Sequence, residues 1–332
     1  MSEISCEEAI ALFERMPRHL QLASLHPLYV VADAIRDADL DPVFFAYRAD
    51  GSVWLHGFHL GKTPSSSLRD AQSAYGYGGP LSSSDDPRFL ADAWAAWCLW
   101  CRERGVLAEF IRFHPLAANW IFYGGSVVDD RETVVVDLGV GDPLPRYATR
   151  ARTAVRKALA AGMETVWSAR KEEIVAFGAL YHVAMHALEA DAFYFFCDDY
   201  LEALARTGLA RLLSCSLAGE QVCAGLFLYG ADTVEYHLSA TAAAGKKLGA
   251  TNLLLHMAAD AAWREGKRAL YLGGGTNRDA GNPLLFFKRG FSKVTAPFRT
   301  GRHVHRPEAY AQLRKEWEGV HGVSQERILF YR

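Results

Sequence analysis

Nowhere in these 332 residues does an apolar run approach the ~20 that a membrane-spanning helix requires. The first sixteen residues carry acids at Glu3, Glu7, Glu8 and Glu14, and lack the basic start and apolar core of a secretion signal. No integral membrane segment is therefore expected, and the chain reads as cytoplasmic. Charge of one sign is lacking too. Lysines and arginines number 36 against 38 acids, a net charge of −2, which argues against a protein whose main task is holding DNA. Cysteine is sparse, six in all, without a disulfide framework. The one CxxC, Cys98 and Cys101, lies in an apolar helical stretch with no second CxxC or HxxxH at metal-ligand spacing. The pair reads as core, and no metal site is expected. Neither a Gly-x-Gly-x-x-Gly fingerprint nor a P-loop lysine occurs, which counts against a nucleotide-cofactor oxidoreductase.

What is present is globular material of mixed α/β type. Half of the residues are apolar, and the length suits two lobes or one large α/β domain. The break at 141–145 divides the chain into lobes 1–143 and 144–332. In the first, β-rich runs at 43–48 and 52–60 flank Asp50-Gly51, a hairpin signal. A polar stretch, 63–73, leads to Tyr75-Gly76-Tyr77-Gly78-Gly79-Pro80. Asp86 caps and Pro87 opens a helix to about 104, and strands follow at 106–113 and 133–138. The second lobe reads as helices at 146–161, 172–188 and 198–206, then antiparallel strands at 209–217, 222–229 and 234–239. A helix at 248–265 and a short strand at 269–272 complete it. Each half sets a long helix ending in Arg-Glu-Arg-Gly (102–105) or Arg-Glu-Gly (264–266) before a strand, an order that suggests internal duplication.

Chemistry concentrates in the second lobe. On a regular strand Glu235, His237 and Ser239 share one face, and Tyr236 and Leu238 share the other. A polar face inside an apolar sheet is costly unless it meets solvent or a ligand. The glycine- and lysine-bearing turn at Gly245, Lys246 and Lys247 then enters the N-terminus of the 248–265 helix, which carries Gly249, Ala250, Thr251 and Asn252 and where free N–H groups and the dipole favour an anion. The alternative is a solvated edge strand and an ordinary helix start. Five cations and no acid occupy 146–157; Arg150 and Arg156 would suit a phosphate-rich partner, or form a solvated basic helix. Gly273-Gly274-Gly275 reads as a tight turn through which backbone approaches substrate. The aromatic runs at Trp94, Trp97, Trp100 and at Tyr194 to Phe196 read as core.

The run from Glu235 to Thr241, the helix through Asn252, the Tyr271 to Gly275 turn and Leu285 to Ser292 together resemble the FemAB-like branch of the GNAT acyltransferase superfamily. Tyr75 to Leu81 and Glu109 to Pro115 are similar to that family's first lobe, and the likeness runs from about residue 25 to 310. It implies tandem GNAT-like lobes, each a mixed, largely antiparallel sheet flanked by helices, with two neighbouring strands of the second splayed around the acyl donor. It implies transfer of an acyl or aminoacyl group to an amine of an envelope precursor or small metabolite. The donor would be a thioester on coenzyme A or an acyl-carrier protein, or an aminoacyl-tRNA, and no tightly bound cofactor is expected. A non-catalytic glycan- or peptide-binding module on the same fold is the competing class.

By the same resemblance His237 is the candidate base, its ordinary pKa being near neutrality, with Glu235 the runner-up. Ser239, Lys246, Gly249, Ala250 and Asn252 would face the donor. Tyr236, Gly274, Asn277 and Lys288, with Tyr77, Gly79, Arg112 and His114 of the first lobe, would contact substrate. An ion pair between Glu109 and Arg112 accounts for those two residues equally well. The pyrophosphate loop of coenzyme A enzymes, Gln/Arg-x-x-Gly-x-Gly/Ala, is matched by Lys246 to Thr251 except for threonine at its last position. The long helical arm of the peptidoglycan enzymes has no counterpart, since no sustained heptad pattern occurs.

Overall fold

The computed structural model describes residues 2–64 and 66–332; Met1, and Ser65 within the polar stretch 63–73, lie outside the described residues. Along the chain the strands and helices are β1 (Ser2–Ile4), α1 (Cys6–Phe13), α2 (Pro27–Ala34), β2 (Leu40–Ala49), β3 (Ser52–Lys62), β4 (Arg69–Gln72) and β5 (Leu81–Ser82). There follow α3 (Pro87–Glu103), β6 (Val106–Arg112), β7 (Ser126–Asp137), α4 (Thr149–Ala160), β8 (Glu164–Ser168), α5 (Lys171–Ala187) and α6 (Asp198–Arg206). The remainder is β9 (Ala210–Leu217), β10 (Glu220–Tyr229), β11 (Thr233–Thr241), α7 (Ala243–Leu248), α8 (Ala250–Arg264), β12 (Ala269–Gly274), α9 (Pro283–Lys288), β13 (Thr295–Val304) and α10 (Pro307–His321).

The chain forms two compact units, Met1–Asp130 with Phe298–Arg332, and Arg131–Pro297. This differs from lobes cut at 143/144. The final segment returns to the first unit because β13 pairs with β6 from Thr300 opposite Arg112 to Val304 opposite Ala108. Arg332 also clamps the buried carboxylate of Asp70 through two hydrogen bonds, 3.0 and 3.1 Å. The second unit begins at Arg131 because β7, from Thr133 to Asp137, is antiparallel to β12.

In the first unit the strands run β1-β2-β3-β4-β6-β13, with β5 on β3. The β2–β3 hairpin turns at Asp50 (φ 49°) and Gly51 (φ 78°), the left-handed pair that a tight turn of this kind needs. Asp86 caps α3 by accepting from the N–H groups of Arg88 and Phe89, as its position before Pro87 predicts. The inner face of α3 packs Trp97 and Trp100, stacked at 5.2 Å, against Phe45 and Phe58. In the second unit the order is β7-β12-β11-β10-β9-β8, and α8 buries Leu253, Leu254, Ala258 and Ala262 in its core.

Both units contain a strand, a helix and a parallel return strand, β4–α3–β6 and β11–α8–β12, the repeated order expected of tandem lobes. One local expectation is corrected. Gly245, Lys246 and Lys247 are not a turn but part of the short helix α7, and Gly249 is its left-handed stop: Gly249 has φ 82° and ends α7 as α8 begins. An added Cβ there would stand 2.8 Å from the carbonyl oxygen of Ala154 on α4, so glycine is required twice over.

Candidate active site

Strands β11 and β12 run parallel only through Thr233–Ala269, Val234–Leu270 and Glu235–Tyr271. Beyond that point β11 continues to Thr241 and β12 to Gly274 without pairing to each other, so the two strands diverge. Backbone groups on the facing edges of that gap are left for a ligand or water.

The regular alternation expected along β11 fails here. The register against β10 slips between Leu226–Leu238 and Phe227–Tyr236, which makes His237 the extra residue of a β-bulge. Tyr236 and Ser239, expected on opposite faces, share one and bond hydroxyl to hydroxyl. Glu235, His237 and Ser239 therefore do not line a single face. Glu235 is buried, and His237 is half-buried and re-aimed by the bulge. His237 Nε2 lies 2.7 Å from the hydroxyl of Tyr200, a buried residue of α6 stacked on Phe196. Nothing in the sequence singles out Tyr200, which stands 37 residues from its partner.

Lys288 reaches the same gap from α9, a helix fixed at its start by Asn282, whose side chain accepts from Leu284 and Leu285 N–H. Its Nζ donates to Gly274 O at 2.8 Å and stands 5.9 Å from the centre of the Tyr236 ring. The side chain is buried, and burial pulls its pKa from 10.5 down to about 7. Burial likewise raises the Tyr236 phenol, keeping it protonated. A near-neutral amine thus stands beside a hydroxyl pair, and the same strand carries a Tyr-bound imidazole. Such perturbed groups in a gap are the usual mark of a reacting site.

On the donor side, no side chain among the described residues caps α8, and its first turn carries no acid. Ala250 is buried, Asn252 half-buried and Lys246 exposed. Thr251 directs its hydroxyl to Thr241 at 2.8 Å, and Thr241 meets the Cys223 thiol at 3.1 Å. Asn277 is used within its loop, accepting from Asn282 Nδ2 and from the Asp279 N–H. The basic helix is largely committed to backbone oxygens. Arg150 donates to Phe286 O at 2.6 Å and lies over that ring, Arg152 donates to Tyr147 O, and Lys157 donates to Lys247 O. Arg156 is exposed.

The remaining expected substrate contacts lie in the first unit. Gly79 (φ 97°) takes a left-handed turn so tight that a Cβ would strike Phe113 and Asn119. His114 is buried, and its Nδ1 accepts from the Leu116 N–H. Tyr77 lies edge-on to His114 at 4.6 Å, and the Arg112 guanidinium covers the Phe110 ring at 4.9 Å. Glu109 is bonded to Trp97 and Tyr123.

Residues 145–288, which hold the diverging strands, α8 and Lys288, match the family model for an acetyltransferase (GNAT) domain. The second unit carries a GNAT acyltransferase domain. The acyltransferase shares its whole fold with FemX, at a TM-score of 0.70 and 14% identity over 94% of this chain and 99% of that one. It is also similar to the L-PGS structure from Bacillus licheniformis (TM-score 0.56, 17% identity, 90% and 92% covered). The C-terminal domain of a putative lysylphosphatidylglycerol synthetase from Agrobacterium fabrum is comparable (0.56, 12%, 95% and 97%). No curated protein sequence matches. The likenesses give the chain a FemX-like fold. Among its described residues no helix is long and apolar enough to cross a membrane.

Proposed function

We propose that the second unit moves an acyl group from a thioester, carried by coenzyme A or an acyl-carrier protein, to the amine of a cell-envelope precursor or small metabolite. The observation that carries this reading is the gap between β11 and β12 with the Lys288 amine at its edge, close to neutral at physiological pH. The acceptor nitrogen attacks the thioester carbonyl, the C–S bond breaks, and the thiolate leaves with a proton from the attacking amine. Only an unprotonated amine attacks, so a group able to take a proton near pH 7 is needed. Neutral Lys288 meets that need; His237, held by Tyr200, is the second candidate, and Glu235 the third. N–H groups on the β12-facing edge of β11 past Glu235 are donors for the developing oxyanion.

The donor's phosphates would lie at the uncapped start of α8, near Lys246, Ala250 and Asn252. The commitment of α4's cations to carbonyl oxygens favours a thioester over aminoacyl-tRNA, which would need a free basic surface. The test is transfer followed by mass spectrometry in cell extract, with added acyl-coenzyme A and with ribonuclease. Acyl-coenzyme-A-dependent transfer that survives ribonuclease and is lost in Lys288→Met is expected. Ribonuclease-sensitive transfer would assign the donor to tRNA. Ligand binding without any turnover would leave a glycan- or peptide-binding module.

A further inference from the structure

A polar cluster in the core of the first unit takes no part in acyl transfer. Helix α3 presents Cys98 and Cys101 one turn apart. Strand β6 contributes Glu109, and β13 leads into His303 and His305. His303 pairs across the strands with Glu109, and His305 follows two residues on, so the three side chains project from the same face. The ligand atoms of Cys98, His303 and His305 lie within 4.8 Å of one another, as do those of Cys101, Glu109 and His305. His305 belongs to both groups. Its side chain is 1% exposed, and among the described residues neither ring nitrogen meets a hydrogen-bond partner; Nε2 stands 3.5 Å from Glu109 Oε2. Glu109 is itself buried, accepting from Trp97 Nε1 at 3.0 Å and the Tyr123 hydroxyl at 2.7 Å.

Buried cysteines are ordinary core residues, but a buried imidazole with both nitrogens unmet is not; each such group costs roughly 1–3 kcal/mol. A disulfide does not account for the pair. Cysteines three apart on a helix have Cβ atoms about 5–6 Å apart, against the ~3.5–4.5 Å that the bond needs. We propose that Cys98, His303 and His305 bind Zn²⁺, with Glu109 orienting His305 from behind. A thiolate and two imidazoles are three donors for tetrahedral Zn²⁺, water can take the fourth position, and a carboxylate behind a ligating histidine fixes its ring. Binding replaces the Cys98 S–H bond by a Zn–S bond and releases its proton to solvent. Cys98 and His303, partly exposed at the rim, give the ion its route in. The ion would tie α3 to the end of β13, and so fasten the C-terminal segment to the first unit. Cys101 is core as its helical spacing predicts, and on this proposal Cys98 has as its partner a His-x-His some 200 residues away, beyond the reach of any spacing rule.

The test uses the full chain, reduced and expressed with zinc in the medium. Elemental analysis after gel filtration should find a single equivalent of zinc. The chelator-treated chain should give a thiolate-to-metal absorption band with Co²⁺. Cys98→Ser and His303→Gln, both at the rim, should lose the metal while keeping native circular dichroism, and Glu109→Gln should weaken Co²⁺ binding by about 10–100-fold. Cys197→Ser, at an exposed cysteine, should stay loaded. A reduced chain with neither zinc nor a cobalt band, or zinc retained undiminished in both rim variants, would overturn the site.

Discussion

Replacing Lys288 by methionine removes the amine but keeps most of its apolar stem, and the consequence should be readable in stability as well as in turnover. In the folded chain the ammonium loses water and, among the described residues, gains only Gly274 O and the face of Tyr236, so its pKa falls from 10.5 to about 7. The unfolded chain therefore binds this proton first as pH falls. Stability from this group is full above about 10.5 and is lost as pH drops towards 7, the reverse of a salt-bridged lysine. At 1.36 kcal/mol per pKa unit, the protein should lose roughly 3 kcal/mol between pH 10 and pH 7 that Lys288→Met does not lose. Groups that titrate identically in both proteins cancel in the difference. Urea unfolding of the pair at several values across this pH range measures it, and the variant should be the more stable at pH 7 while its acyl transfer is abolished. Parallel stability curves, or a variant less stable at pH 7, would show that Lys288 stays charged in the folded state and would remove it as a proton acceptor.

Two further outcomes follow from the geometry. Tyr200→Phe deletes the hydroxyl bonded to His237; one lost hydrogen bond of ~0.5–1.5 kcal/mol should lower kcat about 2–10-fold and leave donor KM unchanged, and an unaltered kcat would make the Tyr200–His237 contact purely structural. Gly249→Ala places a Cβ against Ala154 O at a left-handed φ and should cost about 1–3 kcal/mol by thermal unfolding; a neutral effect would mean that α4 and α8 have room to separate.

The sequence by itself determined whatever depends on neighbours along the chain. Asp50-Gly51 could only turn, Asp86-Pro87 could only start a helix, and the long helices before β6 and β12 had their ends marked by Gly105 and Gly266. The ordered segments around Glu235 and Lys288 carried the resemblance to a GNAT domain, which residues 145–288 match. Tertiary structure decided the rest. The bulge at His237 arises from pairing with β10, which no single-strand pattern encodes, and it parted Glu235 from Ser239 while bringing Tyr236 and Ser239 together. The arginines and lysine of α4 read equally as a phosphate surface or a solvated basic helix, and only the fold shows that Arg150, Arg152 and Lys157 donate to carbonyl oxygens. Lys288 owes its near-neutral amine to desolvation, a property of everything packed around it. The gathering of Cys98 with His303 and His305 waited on β13 returning to the first unit, because only the pairing of β13 with β6 brings such distant residues together.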